Sequence, residues 1–150
     1  MVSLVGQAVV CLLAAMVASC EDLQHEENCN LTGVWVNTLG SVLTLSVEGP
    51  KLSGSFKSSV ETSLGAAGEE MIGKVVGVVG EGVQPVFAMS VSWSGGSVST
   101  WAGQCFQGLH HSILKTTWLL RSKVGTEDKN WKATRIGEDT FHPQKPHSSD

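Results

Sequence analysis

Tyrosine is absent from the 150-residue chain, so no phenol is available in it as a hydrogen-bond donor or an acid. Charge is scarce as well: 16% of residues are Asp, Glu, Lys or Arg, with a formal net charge of −4. The basic residues are scattered and form no patch interleaved with aromatics, which removes the electrostatic basis for binding nucleic acid. No HxxxH or CxxC spacing occurs, so a zinc site lacks its ligand pattern. No GxSxG elbow and no phosphate-cradling glycine loop is present. The histidines are His25, His110, His111, His142 and His147. The adjacent pair His110 and His111 falls in an expected hairpin loop and reads as a solvated turn. Serine is plentiful, but a nucleophile needs an oriented base, and none can be assigned. These absences point away from catalysis and metal binding and toward a binding protein.

Residues 1–20 contain no charged side chain, and residues 9–17 are nearly continuous apolar sequence followed by the small residues Ala18 and Ser19. That pattern reads as a secretory signal peptide with cleavage near Ser19 or Cys20, although no Lys or Arg precedes the apolar run. The run is short for the ~20 residues of a membrane span, so no membrane partner is expected. The segment from Val17 to Cys20 also resembles a bacterial lipoprotein box, which would give a lipid-anchored form. Of the four cysteines, Cys11 and Cys20 fall within the leader. Cys29 and Cys105 remain, and a lone pair in a secreted chain suggests one disulfide. Asn30, Leu31 and Thr32 form a glycosylation sequon at Asn30. An extracellular location is expected.

What the chain does have is short apolar runs punctuated by turn residues. Runs at 33–37, 43–47, 52–60, 71–79, 86–93, 98–106, 113–121 and 131–141 read as eight strands. In the fifth, Phe87, Met89, Val91 and Trp93 share one parity, as in a strand with one buried face. Gly95, Gly96, Gly108 and Gly125 sit where hairpin turns would fall. After the leader no window of eleven residues carries a helical stripe. Residues 21–28 read as a mobile arm, 63–70 as a flexible loop and candidate lid, and 143–150 as a disordered tail. Eight antiparallel strands at this spacing suit an up-and-down barrel or a sandwich.

Five tryptophans stand out: Trp35, Trp93, Trp101, Trp118 and Trp131. Barrels need large core side chains, and that alone accounts for some of them. Trp93 and Trp101, however, bracket Ser94, Ser97, Ser99 and Thr100. Aromatic walls beside hydroxyls suit a small cyclic ligand with an apolar body and polar edges.

Four blocks carry a family resemblance: CNLTGVWVNTLGS at 29–41, GQCF at 103–106, LKTTWLLRS at 114–122 and WKATRIG at 131–137. In this order they resemble the avidin and streptavidin family over about residues 29–141. The Cys29–Cys105 pair favours the avidin side, because streptavidin lacks that bridge. The resemblance implies an all-β, eight-stranded antiparallel up-and-down barrel over 29–142, holding biotin non-covalently and without any cofactor. Asn37 and Ser41 match donors to the ureido oxygen of biotin. Ser58 and Asp139 match acceptors of its two N–H groups. Ser99 matches the hydroxyl facing the thioether, Ser97 a hydroxyl at the valerate carboxylate, and Thr62 a loop backbone N–H at the same place. Trp93, Trp101 and Trp118 match the aromatic walls, and Leu39, Val60 and Leu120 the apolar contacts. Trp131 matches a tryptophan that caps the pocket of a neighbouring subunit, which implies a homotetramer.

Three departures from the family pattern accompany this match. Phe56 stands where the family has a hydrogen-bonding tyrosine. Glu61 stands where it has a small or hydroxyl residue, beside the expected position of the valerate. The Trp93–Trp101 segment is shortened through Gly95 and Gly96. The functional expectation is sequestration of biotin outside the cell as an antimicrobial defence. The alternatives are an avidin-like structural or oligomerisation domain with weak or lost biotin binding, and a lipocalin-like small-ligand carrier.

Overall fold

The computed structural model describes residues 28–61, 64 and 67–145. The leader reading of 1–20, the arm at 21–27 and the tail from 146 lie outside the described residues. Eight strands follow in chain order: β1 (Gly33–Asn37), β2 (Val42–Glu48), β3 (Lys51–Lys57), β4 (Ile72–Val79), β5 (Val86–Ser92), β6 (Val98–Gln107), β7 (Ser112–Arg121) and β8 (Thr134–Pro143). Each pairs antiparallel with the next, and β1 pairs with β8 through Trp35↔Pro143 and Asn37↔Phe141. The sheet is therefore a closed barrel without free edges. An eight-stranded barrel has an interior just wide enough to be filled by side chains or to hold one small ligand.

Period-two alternation sorts the side chains. Along β5, Phe87, Met89 and Val91 are buried while Val86, Ala88 and Ser92 face out. The same alternation sends Leu43 and Leu45 of β2, Leu52 of β3, Val75 of β4 and Leu114 of β7 inward. One end is sealed by Trp35, whose Nε1 donates to Leu31 O at 2.9 Å. It is also tied by the Cys29–Cys105 disulfide. Both sulfur-bearing residues are buried.

Most boundaries agree with the sequence reading to within a residue, and the larger differences have local causes. The third strand stops at Lys57 rather than 60. There the Ser58 hydroxyl donates to Val60 O and accepts from Val60 N, a local side-chain bond that competes with the ladder. The eighth begins at Thr134, because Glu127–Lys132 winds into a 3₁₀ helix. With acidic residues in its first turn and lysines in its last, that segment complements the helix dipole, and six residues are too few to register as a helical stripe. Accordingly Gly125 precedes a helical connection and not a tight hairpin. At the chain end, β8 includes Pro143, and Gln144 N donates to Val34 O at 2.8 Å, so pairing reaches into the segment read as a tail.

Candidate ligand-binding site

At the end of the barrel away from the disulfide the interior is not filled. A cavity of about 180 Å³ opens there, with Phe56, Trp93, Trp101 and Trp118 among its walls. Phe56 is wedged among aromatics, with ring centres 5.1 Å from Trp101, 5.9 Å from Trp93 and 6.2 Å from Phe141. The edge-on and tilted arrangements are those that aromatic quadrupoles favour. Gly137 on β8 stands opposite Trp118 on β7. A side chain at Gly137 would meet the Trp118 ring at 2.4 Å, so glycine is what lets the indole lie across β8.

The polar groups are organised around Asn37, the last residue of β1. Its Oδ1 accepts from Leu39 N at 3.1 Å and from Ser41 N at 2.9 Å. These bonds orient the amide so that Nδ2 donates to Asp139 Oδ1 at 3.0 Å. The other carboxylate oxygen of Asp139 accepts from Trp101 Nε1 at 3.2 Å, and Thr116 Oγ1 donates to the Asp139 carbonyl at 3.1 Å. Burial pushes the Asp139 carboxyl above its ordinary value; the bonds from Trp101 and Asn37 oppose that shift without cancelling it. Ser41 Oγ accepts from Ser59 N at 3.0 Å and lies 3.0 Å from Ser59 Oγ. Trp93 Nε1 donates to Ser99 Oγ at 3.0 Å, leaving the Ser99 proton free to turn toward the cavity.

The remaining expected residues divide. Ser58, Ser97, Leu39, Val60 and Leu120 line the same cavity, with Leu39 and Val60 exposed at its rim. Thr62 lies outside the described residues. Trp131 is not in this cavity: it sits in the 3₁₀ helix, 82% exposed. Glu61 lines the rim, and its Oε2 accepts from Ala67 N at 3.2 Å. Ala67 itself, which the sequence did not single out, is buried against the cavity, in the stretch expected as a flexible loop and candidate lid. Ser59 was also not anticipated. Nothing local to an alanine in a Gly-Ala stretch, or to one serine beside another, signals either role. Among the described residues no group of three or more His, Cys, Asp or Glu could hold a metal ion.

A closed antiparallel barrel with an aromatic-walled, polar-edged cavity at one end is the architecture of a small-ligand-binding β-barrel. The chain belongs to the avidin family, whose model it matches over residues 25–144. It is 33% identical to avidin of Gallus gallus over 117 residues, which is 75% of this chain and 77% of that protein. The crystal structure of Xenavidin superposes with a TM-score of 0.71 at 35% identity, covering 78% of this chain and 99% of Xenavidin. A biotin binding protein from chicken superposes with the same score of 0.71 at 31% identity, covering 79% of this chain and 99% of that one.

Proposed function

We propose that the chain is a non-catalytic protein that binds biotin in the cavity at the open end of the barrel. The reading rests on one feature: the donors Asn37 and Ser41 and the acceptor Asp139 line the same cavity as three tryptophans. A ureido group offers one strong acceptor and two donors, and burying them unpaired costs several kcal/mol. In this reading Asn37 Nδ2 and Ser41 Oγ serve the ureido oxygen. Asp139 and Ser58 take the two N–H groups, Asp139 more strongly because a carboxylate is the better acceptor. Ser99 faces the thioether, Ser97 and the backbone at Thr62 serve the tail, and Trp93, Trp101 and Trp118 enclose the rings with Leu39, Val60 and Leu120. Phe56 supplies no donor, which costs about 1–3 kcal/mol relative to a hydroxyl at that place. The test is a calorimetric titration of the full chain with biotin, run beside thermal unfolding. Saturable heat with a raised midpoint is expected; no heat and no shift at micromolar ligand would sink the reading.

The assembly we propose is a homotetramer in which Trp131 caps a neighbour's pocket. It is supported by the exposure of the large apolar side chains Trp131 and, on β8, Ile136 at 69%, since exposed apolar surface marks interaction sites. Light scattering of the wild type and Trp131→Ala tests it. The disulfide favours an extracellular location. The exposed Asn30, whose Oδ1 accepts from Thr32 N at 2.9 Å, is the proposed glycosylation site. Withholding biotin from microbes is the proposed physiological outcome. A second reading, an oligomeric barrel with binding weakened or lost, draws on Phe56 and predicts a tetramer unresponsive to biotin.

A further inference from the structure

The open end of the cavity carries an electrostatic feature that the ring-binding network does not use. Among the described residues two carboxylates line the cavity, Asp139 and Glu61, and no Lys, Arg or His does. They differ in their surroundings. The Asp139 oxygens receive Asn37 Nδ2 and Trp101 Nε1, whereas among the described residues Glu61 receives the backbone N–H of Ala67 alone, at 3.2 Å. That bond holds the Glu61 carboxylate against the cavity wall. The residues between the two, Thr62, Ser63, Leu64, Gly65 and Ala66, carry no charge. A groove adjoining the rim shares Glu61 and adds a second acid, Glu69. Lys123 passes the β5–β6 turn close enough that a Cβ at Gly96 would meet its Cδ at 3.0 Å. It lines neither the cavity nor the groove.

A ligand whose tail ends in a free carboxylate thus brings a further negative charge to a rim that carries Glu61 and adjoins Glu69, with no cation among the described lining residues. It meets repulsion there and loses hydration. A neutral ester or amide tail meets no such penalty, and a cationic tail is attracted. We infer that Glu61 is a specificity-determining residue that steers this pocket away from free biotin and toward conjugates whose tail ends in a neutral or cationic group. The inference rests on the biotin reading of the cavity.

The experiment compares dissociation constants for biotin, biotin methyl ester and N-(2-aminoethyl)biotinamide, on the full chain and on Glu61→Gln. Glutamine keeps an oxygen for the Ala67 N–H and removes only the charge. In the wild type the amine should bind tightest and the free acid weakest, with the acid about ten-fold weaker than the ester, the size of a close like-charge contact near a surface. In Glu61→Gln the acid should recover about ten-fold while the ester stays within about two-fold, and raising the salt should narrow the wild-type spread. Free biotin binding as tightly as its ester in the wild type would overturn the inference and leave the biotin reading intact. So would an acid-to-ester ratio unmoved by Glu61→Gln. If none of the three ligands binds, the biotin reading falls and this inference falls with it.

Discussion

At the disulfide end of the barrel the inward positions carry Leu45, Leu52, Phe87, Cys105 and Leu114, all buried and packed together. At the other end the barrel's strands and connections deliver Asn37, Ser41, Ser99 and Asp139 among Trp93, Trp101 and Trp118, around about 180 Å³ of open space. Backbone geometry does not separate the two ends, since one ladder runs through both. Side-chain shape and polarity do. Flexible aliphatic chains close up on each other at native density. Rigid indoles braced by hydrogen bonds, such as Trp93 on Ser99 and Trp101 on Asp139, cannot collapse into the gap. One end therefore carries stability and the other carries the ligand site, and each of the following outcomes would break or sharpen that division.

The largest effect is expected at the packed end. Phe87→Ala should cost about 3–5 kcal/mol in denaturant unfolding, because the truncation leaves a void among buried neighbours. Replacing Cys29 and Cys105 together by Ser and Ala opens a loop closed across a separation of 76 residues. That should cost about 2–5 kcal/mol, with the remaining cavity geometry retained and biotin affinity, per folded molecule, little changed. Loss of binding in folded disulfide-free protein would show that the two ends are coupled. At the cavity end, Phe56→Tyr places a hydroxyl where the side chain lines the pocket. It should tighten biotin binding by roughly one to two decades and leave the unfolding midpoint nearly unmoved. Equal affinities would mean that Asn37 and Ser41 already satisfy the ureido oxygen.

The smallest effect concerns pH. Burial raises the folded pKa of Asp139 above the ordinary 3.8. The stability contributed by this group is thus fully present below the unfolded pKa and is lost as pH rises through the folded one. Asp139→Asn abolishes that loss, so the variant should gain on the wild type as pH is raised from about 3 to 7, measured by urea midpoints. A difference that stays flat would place the cost of Asp139 outside its ionisation.

Much of this division was legible in the sequence, residue by residue. The parity of Phe87, Met89, Val91 and Trp93 is a local property, and β5 follows it. The pairing of Cys29 with Cys105 was suggested by setting aside the two cysteines of the segment read as a leader. The family resemblance pointed to Asn37, Ser41, Ser99 and Asp139, of which only Asn37 and Ser41 lie within the matching blocks, and all four line one cavity. Other features were illegible for physical reasons. Met71 was read as the start of a strand, yet its φ of 54° takes it out of the ladder, a choice made by the turn that brings Met71 N to Gly68 O. Ala67 and Ser59 join the site only through contacts with distant or loop residues, Ser59 N donating to Ser41 Oγ and Ala67 N to Glu61 Oε2.

Alternation and turn residues were sufficient, within the sequence itself, to determine an all-β chain of eight strands with its apolar positions on one side. These are short-range properties, set by the two-residue period of a strand and the dihedral demands of glycine turns. Only the tertiary structure decided which inward positions meet each other. Closure of β8 onto β1 brings Asp139 within 3.0 Å of Asn37, 102 residues away. The loop after β3 brings Glu61 to the rim of the same cavity, and Trp131 is left facing solvent in a 3₁₀ helix. Contacts of that kind depend on the stagger and closure of the whole barrel, which no local pattern encodes.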